Sequence, residues 1–192
     1  MSDPVQVLDF WLGDIGPEGW YAGTPEIDDA IAVQFGDLWQ ALHDDGLEHW
    51  IGGTVGTLAY LIVADQFGRN IHRGTALAFA TDGKARAAAR LAVEQGWDLD
   101  APEPERQFFY LPFEHSEDLA DQDFCVRLME ERLPSEPGNL LHARAHREII
   151  ARFGRFPFRN AALGRDTSPE EAAFLEAGGY GAVVRQLQAD QA

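Results

Sequence analysis

One cysteine, Cys125, stands in the whole chain of 192 residues, and one lysine, Lys84. A single thiol excludes an intrachain disulfide and a cysteine-based structural metal centre, so the chain must fold on its apolar core alone. It is long enough to do so, because a domain of this size buries roughly 70% of the surface that its unfolded form exposes. No lysine or arginine precedes Arg69. The start Met1-Ser2-Asp3-Pro4 therefore lacks the basic flank and apolar run of a secretory signal, and a cytoplasmic location is expected. The longest weakly polar run, around Thr54–Ala64, is too short to cross a bilayer.

Bases as a class are scarce, 15 against 32 acids, for a formal net charge of −17. Affinity for nucleic acid rests on lysine and arginine neutralising phosphates, so a chain this acidic is not expected to bind it. Anionic membrane surfaces are disfavoured for the same reason. All the bases but Lys84 are arginines. The planar guanidinium fork suits carboxylates and phosphates.

What is present is helical periodicity. Ile27, Ile31, Phe35, Leu38, Trp39 and Leu42 recur at steps of three and four behind Thr24-Pro25, a capping residue followed by a first-turn proline. A second helix is read over Val55–Phe67. It carries Asp65 on its apolar face, and Gly68 is expected to end it in a left-handed conformation. An alanine-rich helix is read over Asp82–Gln95, ending at Gly96. Ser116 is expected to cap a helix running to Leu133, with Glu117 and Asp118 in its first turn. Another spans Asn139–Phe153 and stops at Gly154. Ser168-Pro169-Glu170-Glu171 is a capping box opening a helix to Ala177, and Tyr180–Leu187 forms one more. No alternating pattern persists long enough to make a sheet. The reading is one all-α domain over residues 1–192 with about eight helices.

The chain also echoes itself. Phe67-Gly68-Arg69 with Arg73 matches Phe153-Gly154-Arg155 with Arg159. In each copy the phenylalanine anchors a helix end and two arginines, four residues apart, leave it. Arginines near a helix C-terminus also serve the last carbonyls, so a purely structural role stands beside a binding role. Asp65 and Arg69 are spaced for an ion pair along one helix face. Glu114 and His115 lie ahead of the Ser116 cap, locked by Pro112, and pair a carboxylate with an imidazole that titrates near neutrality. His142 and His146 share a helix face, but Ala143, Arg144 and Ala145 between them lack the glutamate of the zinc protease motif, so packing histidines are expected. No phosphate-binding glycine loop and no nucleophile elbow occur, and no metal or cofactor is expected.

Three stretches carry a resemblance: Ala64–Ala76 (Ala-Asp-Gln-Phe-Gly-Arg-Asn-Ile-His-Arg-Gly-Thr-Ala), Tyr110–Glu117 (Tyr-Leu-Pro-Phe-Glu-His-Ser-Glu), and Arg152–Asn160 with Leu163-Gly164-Arg165. With Val7–Trp11 they resemble the uncharacterised family known as domain of unknown function 924. The resemblance implies a right-handed helical array similar to tetratricopeptide-repeat superhelices, and no assigned activity or catalytic residue. The family usually has histidine where Phe158 stands and an aromatic where His72 stands, as if an imidazole had moved between the echoing copies.

Three functional readings follow. The first is a pocket for a small carboxylate or phosphate, lined by Asp65, Arg69, His72, Arg73, Tyr110, Arg155 and Arg159, with Glu114 and His115 transferring a proton if the ligand reacts. The second is a scaffold that cradles a peptide, by analogy with tetratricopeptide repeats. The third leaves the arginines as partners of helix ends and buried acids.

Overall fold

The computed structural model describes residues 3–190, and among them every regular element is helical and no strand occurs. The chain divides into two compact units, Met1–Pro112 and Phe113–Ala192. Among the described residues no helix is long and apolar enough to cross a membrane.

The first unit opens with α1 (Pro4–Leu8), where Asp3 and Gln6 form a reciprocal capping box. A π-wound stretch, Asp9–Ile15, carries the chain into the short α2 (Gly16–Gly19). Then comes α3 (Pro25–His43), capped by the Thr24 hydroxyl as its sequence demands. Its buried stripe is Ile31, Phe35, Leu38, Trp39 and Leu42. α4 (Thr54–Leu61) runs directly into a π-wound turn, Ile62–Phe67, every residue of which is buried. The run Leu-Ile-Val-Ala is apolar on all sides, so this segment lies inside on every face. α5 (Gly68–Ile71) continues it, and α6 (Asp82–Gln95) follows. Ala85, Ala88, Ala89 and Ala92 of α6 are buried, and such small side chains let a neighbouring backbone come close. The centre is aromatic: Phe35 packs on Phe67 at 4.9 Å between ring centroids, and Trp11 meets Phe67 edge-on at 5.6 Å.

The chain passes from one unit to the next within α7 (Leu111–Glu114). The second unit holds α8 (Leu119–Arg132), α9 (Pro137–Phe153), α10 (Pro169–Glu176) and α11 (Gly179–Ala189). One cluster of its core is Ile149, Ile150, Phe156 and Phe174, packed against Phe153, Tyr180 and Val183. Cys125 is buried. The Ser168–Glu171 capping box forms in full. The cap of α8 differs from expectation. Asp118, not Ser116, accepts the first-turn N–H, from Ala120, while the Ser116 hydroxyl accepts from Asp118 N and donates to Asp121. Two residues able to cap, Ser116 and Asp118, stand two positions apart and left the register of that helix start open in sequence.

The two echoing glycines part company. Gly154 ends α9 with φ +67°, a left-handed cap. Gly68 has φ −55° and ψ −39°, so the helix runs through it to Ile71 and the expected stop there is wrong. The cause lies three residues on. Pro157 follows Phe156 and holds it at φ −90°, ψ 106°, out of the helical region. The matching position in the first copy is Ile71, which imposes nothing. Gly68 is glycine for another reason. A Cβ there would stand 2.8 Å from the Trp39 indole nitrogen. Gly68→Ala is therefore expected to destabilise by about 1–3 kcal/mol through overpacking, read as a lower denaturant midpoint at unchanged slope. Restoring room with Trp39→Phe should recover part of that loss.

Candidate functional site

Each of the expected arginines holds a carboxylate or an aromatic ring of its own unit. In the first unit, the guanidinium of Arg69 donates to Asp82 Oδ1 at 2.9 Å and to the Asp65 carbonyl at 2.7 Å, and its Nη1 stands 3.3 Å from Asp65 Oδ1. Asp65 is 1% exposed, so the spacing seen in sequence is a buried ion pair. Burial opposes the Arg69 charge, but Asp65 and Asp82 outweigh it and raise its pKa. Arg73 donates twice to Asp28, at 2.7 and 2.8 Å. His72 caps α5, with its ring 4.1 Å from Trp39, and burial followed by the nearby His43 lowers its pKa. Tyr110 is fully buried and donates to Asp98 Oδ2 at 2.7 Å.

In the second unit Arg155 donates to both oxygens of Glu171, at 2.6 and 2.8 Å. That hydrogen bond, with the one from Ser168 N, holds the Glu171 carboxyl at about 2. Glu171 thus serves two ends at once, closing the α10 capping box and fixing Arg155. Arg159 is 7% exposed, and its guanidinium carbon lies 4.5 Å over the Phe156 ring. Glu117, expected in a helix first turn, instead accepts from Arg165 at 2.7 and 3.0 Å and from Phe156 N at 2.8 Å. These bonds tie Phe156 and the turn that carries Arg159 to the start of the unit.

The carboxylate of Glu114 has the most unusual surroundings. It closes α7, and the turn after it is held from behind by Gln122 of α8, whose amide nitrogen donates to the carbonyls of Phe113, Glu114 and Ser116 at 3.3, 2.6 and 2.7 Å. Glu114 is 4% exposed. Its partner is His146 of α9, whose Nδ1 lies 3.0 Å from Oε1. The neighbouring His115 has its ring 6.2 Å from that of His146. Tyr180 of α11 packs on the His146 ring at 4.8 Å, and its hydroxyl bonds His142 Nδ1. Burial pushes the Glu114 carboxyl up, but the charge and hydrogen bond of His146, with His115 and His142 behind, outweigh it and hold the carboxyl below its usual range. Burial, then the charge of Glu114, pushes the Tyr180 phenol up, so it stays protonated. Oε2 of Glu114 is buried without a hydrogen-bond partner.

The tautomer of His146 follows from its acceptors. Nδ1 faces both the His142 carbonyl, at 3.0 Å, and the Glu114 carboxylate, so the proton belongs on Nδ1. A neutral ring in this tautomer has its lone pair on Nε2, and the carboxylate stands against the opposite nitrogen. A carboxylate held against one imidazole nitrogen is an arrangement that can serve general-base chemistry at the other.

The sequence sets Glu114 beside His115, either as an acid–base pair or with His115 bonded to a neighbouring backbone carbonyl. The structure pairs Glu114 with His146, read from spacing as a packing residue. The signal was half visible: His142 and His146 share a face at helical spacing, while the carboxylate and Tyr180 arrive from segments with no local link to them. Among the described residues no group of three or more histidine, cysteine, aspartate or glutamate side chains is placed to hold a metal. A separate cavity of about 430 Å³ lies along α9, α10 and α11, over Ile149, Phe153, Phe174, Val183 and Leu187, with Arg152 among its lining groups.

The comparisons agree with this architecture. The solved structure of a protein of unknown function from Agrobacterium tumefaciens, ATU0120, is similar at 40% identity and a TM-score of 0.85, over 90% of this chain and 96% of that one. No curated protein matches the chain. Residues 7–179 match the family described as bacterial protein of unknown function, DUF924, and the chain belongs to that family.

Proposed function

We propose that the second unit binds a small anionic molecule, a carboxylate or phosphate, and moves a proton on it through the Glu114–His146 pair. The observation that carries this is the 3.0 Å contact between a buried carboxylate and Nδ1 of the His146 imidazole. A buried carboxylate is costly to retain, and a leucine at position 114 would pack without that cost. Its retention beside three histidines points to chemistry more than to packing. The guanidinium of Arg159 supplies positive charge to hold the anion, with His115 beside it, His146 as base and Glu114 as the group that orients it. Gln122 and Tyr180 act through their neighbours, by fixing the turn that presents Glu114 and covering the His146 ring. Arg69, Arg73 and Arg155 are read as structural, each matched to acids of its own unit.

The test is a titration of inorganic phosphate and of acetate into protein labelled at histidine nitrogen. A saturable displacement of the His146 Nε2 resonance is expected, and Arg159→Gln should weaken it at least about tenfold, the loss of one charge-assisted contact. Equal responses in wild type and Arg159→Gln, or none in either, would remove the proposal. The second reading, a peptide scaffold, is favoured only by the cavity over Phe153 and Phe174. It predicts that a peptide ending in a free carboxylate perturbs Arg152 and leaves His146 untouched.

A further inference from the structure

The cavity over α9, α10 and α11 is a second site, apart from the Glu114–His146 pair, and we infer that it takes a hydrophobic amine: an apolar chain or ring bearing one ammonium group. At about 430 Å³ it falls within the usual size of a small-molecule pocket. Its floor is apolar. Ile149 and Phe174 are buried, while Phe153, Val183 and Leu187 are half-buried. Val183 and Leu187 stand one turn apart on α11, the face this helix turns to the cavity. Among the described residues of α11 only Gly179 is buried. The apolar stripe of α11 is therefore left partly uncovered, and an apolar body in the cavity removes that surface from water.

The charged groups of the lining set the sign of the head group. They are Glu148 and Asp190 against Arg152. Arg152 is already matched: it donates to Glu170 at 3.2 Å, and its guanidinium carbon lies 4.6 Å over the Phe153 ring and 5.7 Å over that of Phe174. Those aromatic faces thus already accept one cation. The two acids have no such match. Glu148 makes no ion pair or hydrogen bond among the described residues, and Asp190 is bonded by the Gln186 amide at 2.9 Å. Asp190 also caps the C-terminal end of α11, where the helix dipole is negative and the last turn holds no base. Arg185, on the same helix, lies beside Gly178 and Gly181 at the opposite end. Carboxylate and dipole add at this rim, so an ammonium is drawn to it and an acid is repelled.

The experiment titrates octylammonium, octanol, octanoate and ethylammonium into the full chain with labelled methyl groups, read at Ile149, Val183 and Leu187. Octylammonium should shift these methyls saturably and bind about two- to fivefold more tightly than octanol, the range of an ion pair partly open to water. Octanoate should bind more weakly than octanol. Ethylammonium keeps the charge but lacks six methylenes of octylammonium, and should bind at least about tenfold more weakly. Glu148 is exposed, so Glu148→Gln disturbs no packing. It should weaken octylammonium about two- to threefold and leave octanol as in wild type. Octanoate binding as tightly as octylammonium, with Arg152→Gln abolishing it, would assign the cavity to an acid and overturn the inference. Ethylammonium matching octylammonium would reduce the effect to the general pull of an acidic protein on cations, which overturns it too. So would a Glu148→Gln variant that binds octylammonium as wild type does. No shift of the three methyls with any of the four compounds would remove the site.

Discussion

Arg69→Met is expected to cost the protein about 3–5 kcal/mol, enough to leave many domains of this size largely unfolded at 37 °C. The reason is what remains behind. Asp65 is 1% exposed and Asp82 is 8% exposed, and both lean on the same guanidinium. Methionine fills the volume of the arginine stem but offers no donor. Two carboxylates then lose this guanidinium in a poorly solvated place, close enough to repel. The prediction has an internal check. If the penalty is stranded charge and not lost packing, Asp65→Asn combined with Arg69→Met should recover a large part of it, and the double-mutant coupling should exceed about 1 kcal/mol. Urea unfolding of the four proteins at pH 7 measures this. A double mutant no more stable than Arg69→Met would mean that the arginine acts by shape alone.

This pair also shows how far sequence reasoning reaches. Asp65 on an otherwise apolar helix face, one turn before Arg69, was enough to expect a buried ion pair. The partner Asp82 was not foreseeable, since it opens a different helix and its contact depends on how α4 through α6 pack. The same boundary divides the rest of the molecule. Helix ends written locally were legible: Thr24-Pro25, the Ser168–Glu171 box, and Gly96 after an alanine-rich run. Gly154 and Gly68 sit in one shared motif, and only one ends a helix, because Pro157 follows the first while Ile71 in the matching place lets the helix run on. Chemistry split likewise. Glu114 stood out because capping did not explain it, and His142 with His146 stood out by spacing. Joining Glu114 to His146 and Tyr180 required the packing of α7, α9 and α11, which no local pattern encodes.

Replacing His146 with leucine should cost about 2–3 kcal/mol at pH 7, the value of a hydrogen bond to a charged acceptor that is then left unmet. Its pH dependence separates this loss from that of any other core substitution. In the wild type, the Glu114 carboxyl is held below its usual value of 4.5. A depressed carboxyl binds its proton less readily folded than unfolded, so its stabilising share is full above about pH 4.5 and is lost as pH falls through the folded value. In His146→Leu the strongest compensating group is gone, burial, the largest influence, is opposed only by the weaker charges of His115 and His142, and the Glu114 pKa is expected to move above 4.5. That variant takes up a proton on folding and is relieved as pH falls. The stability gap between the two proteins should therefore be widest near neutrality and narrow steadily toward pH 4 and below. Glu114→Gln, neutral throughout, should lack the variant's relief on acidification. Denaturant midpoints measured across pH 4–8 provide the comparison. A gap that stays constant over that range would mean that His146 and Glu114 do not share charge in the folded protein, and the base at the centre of the proposed site would lose its orienting partner.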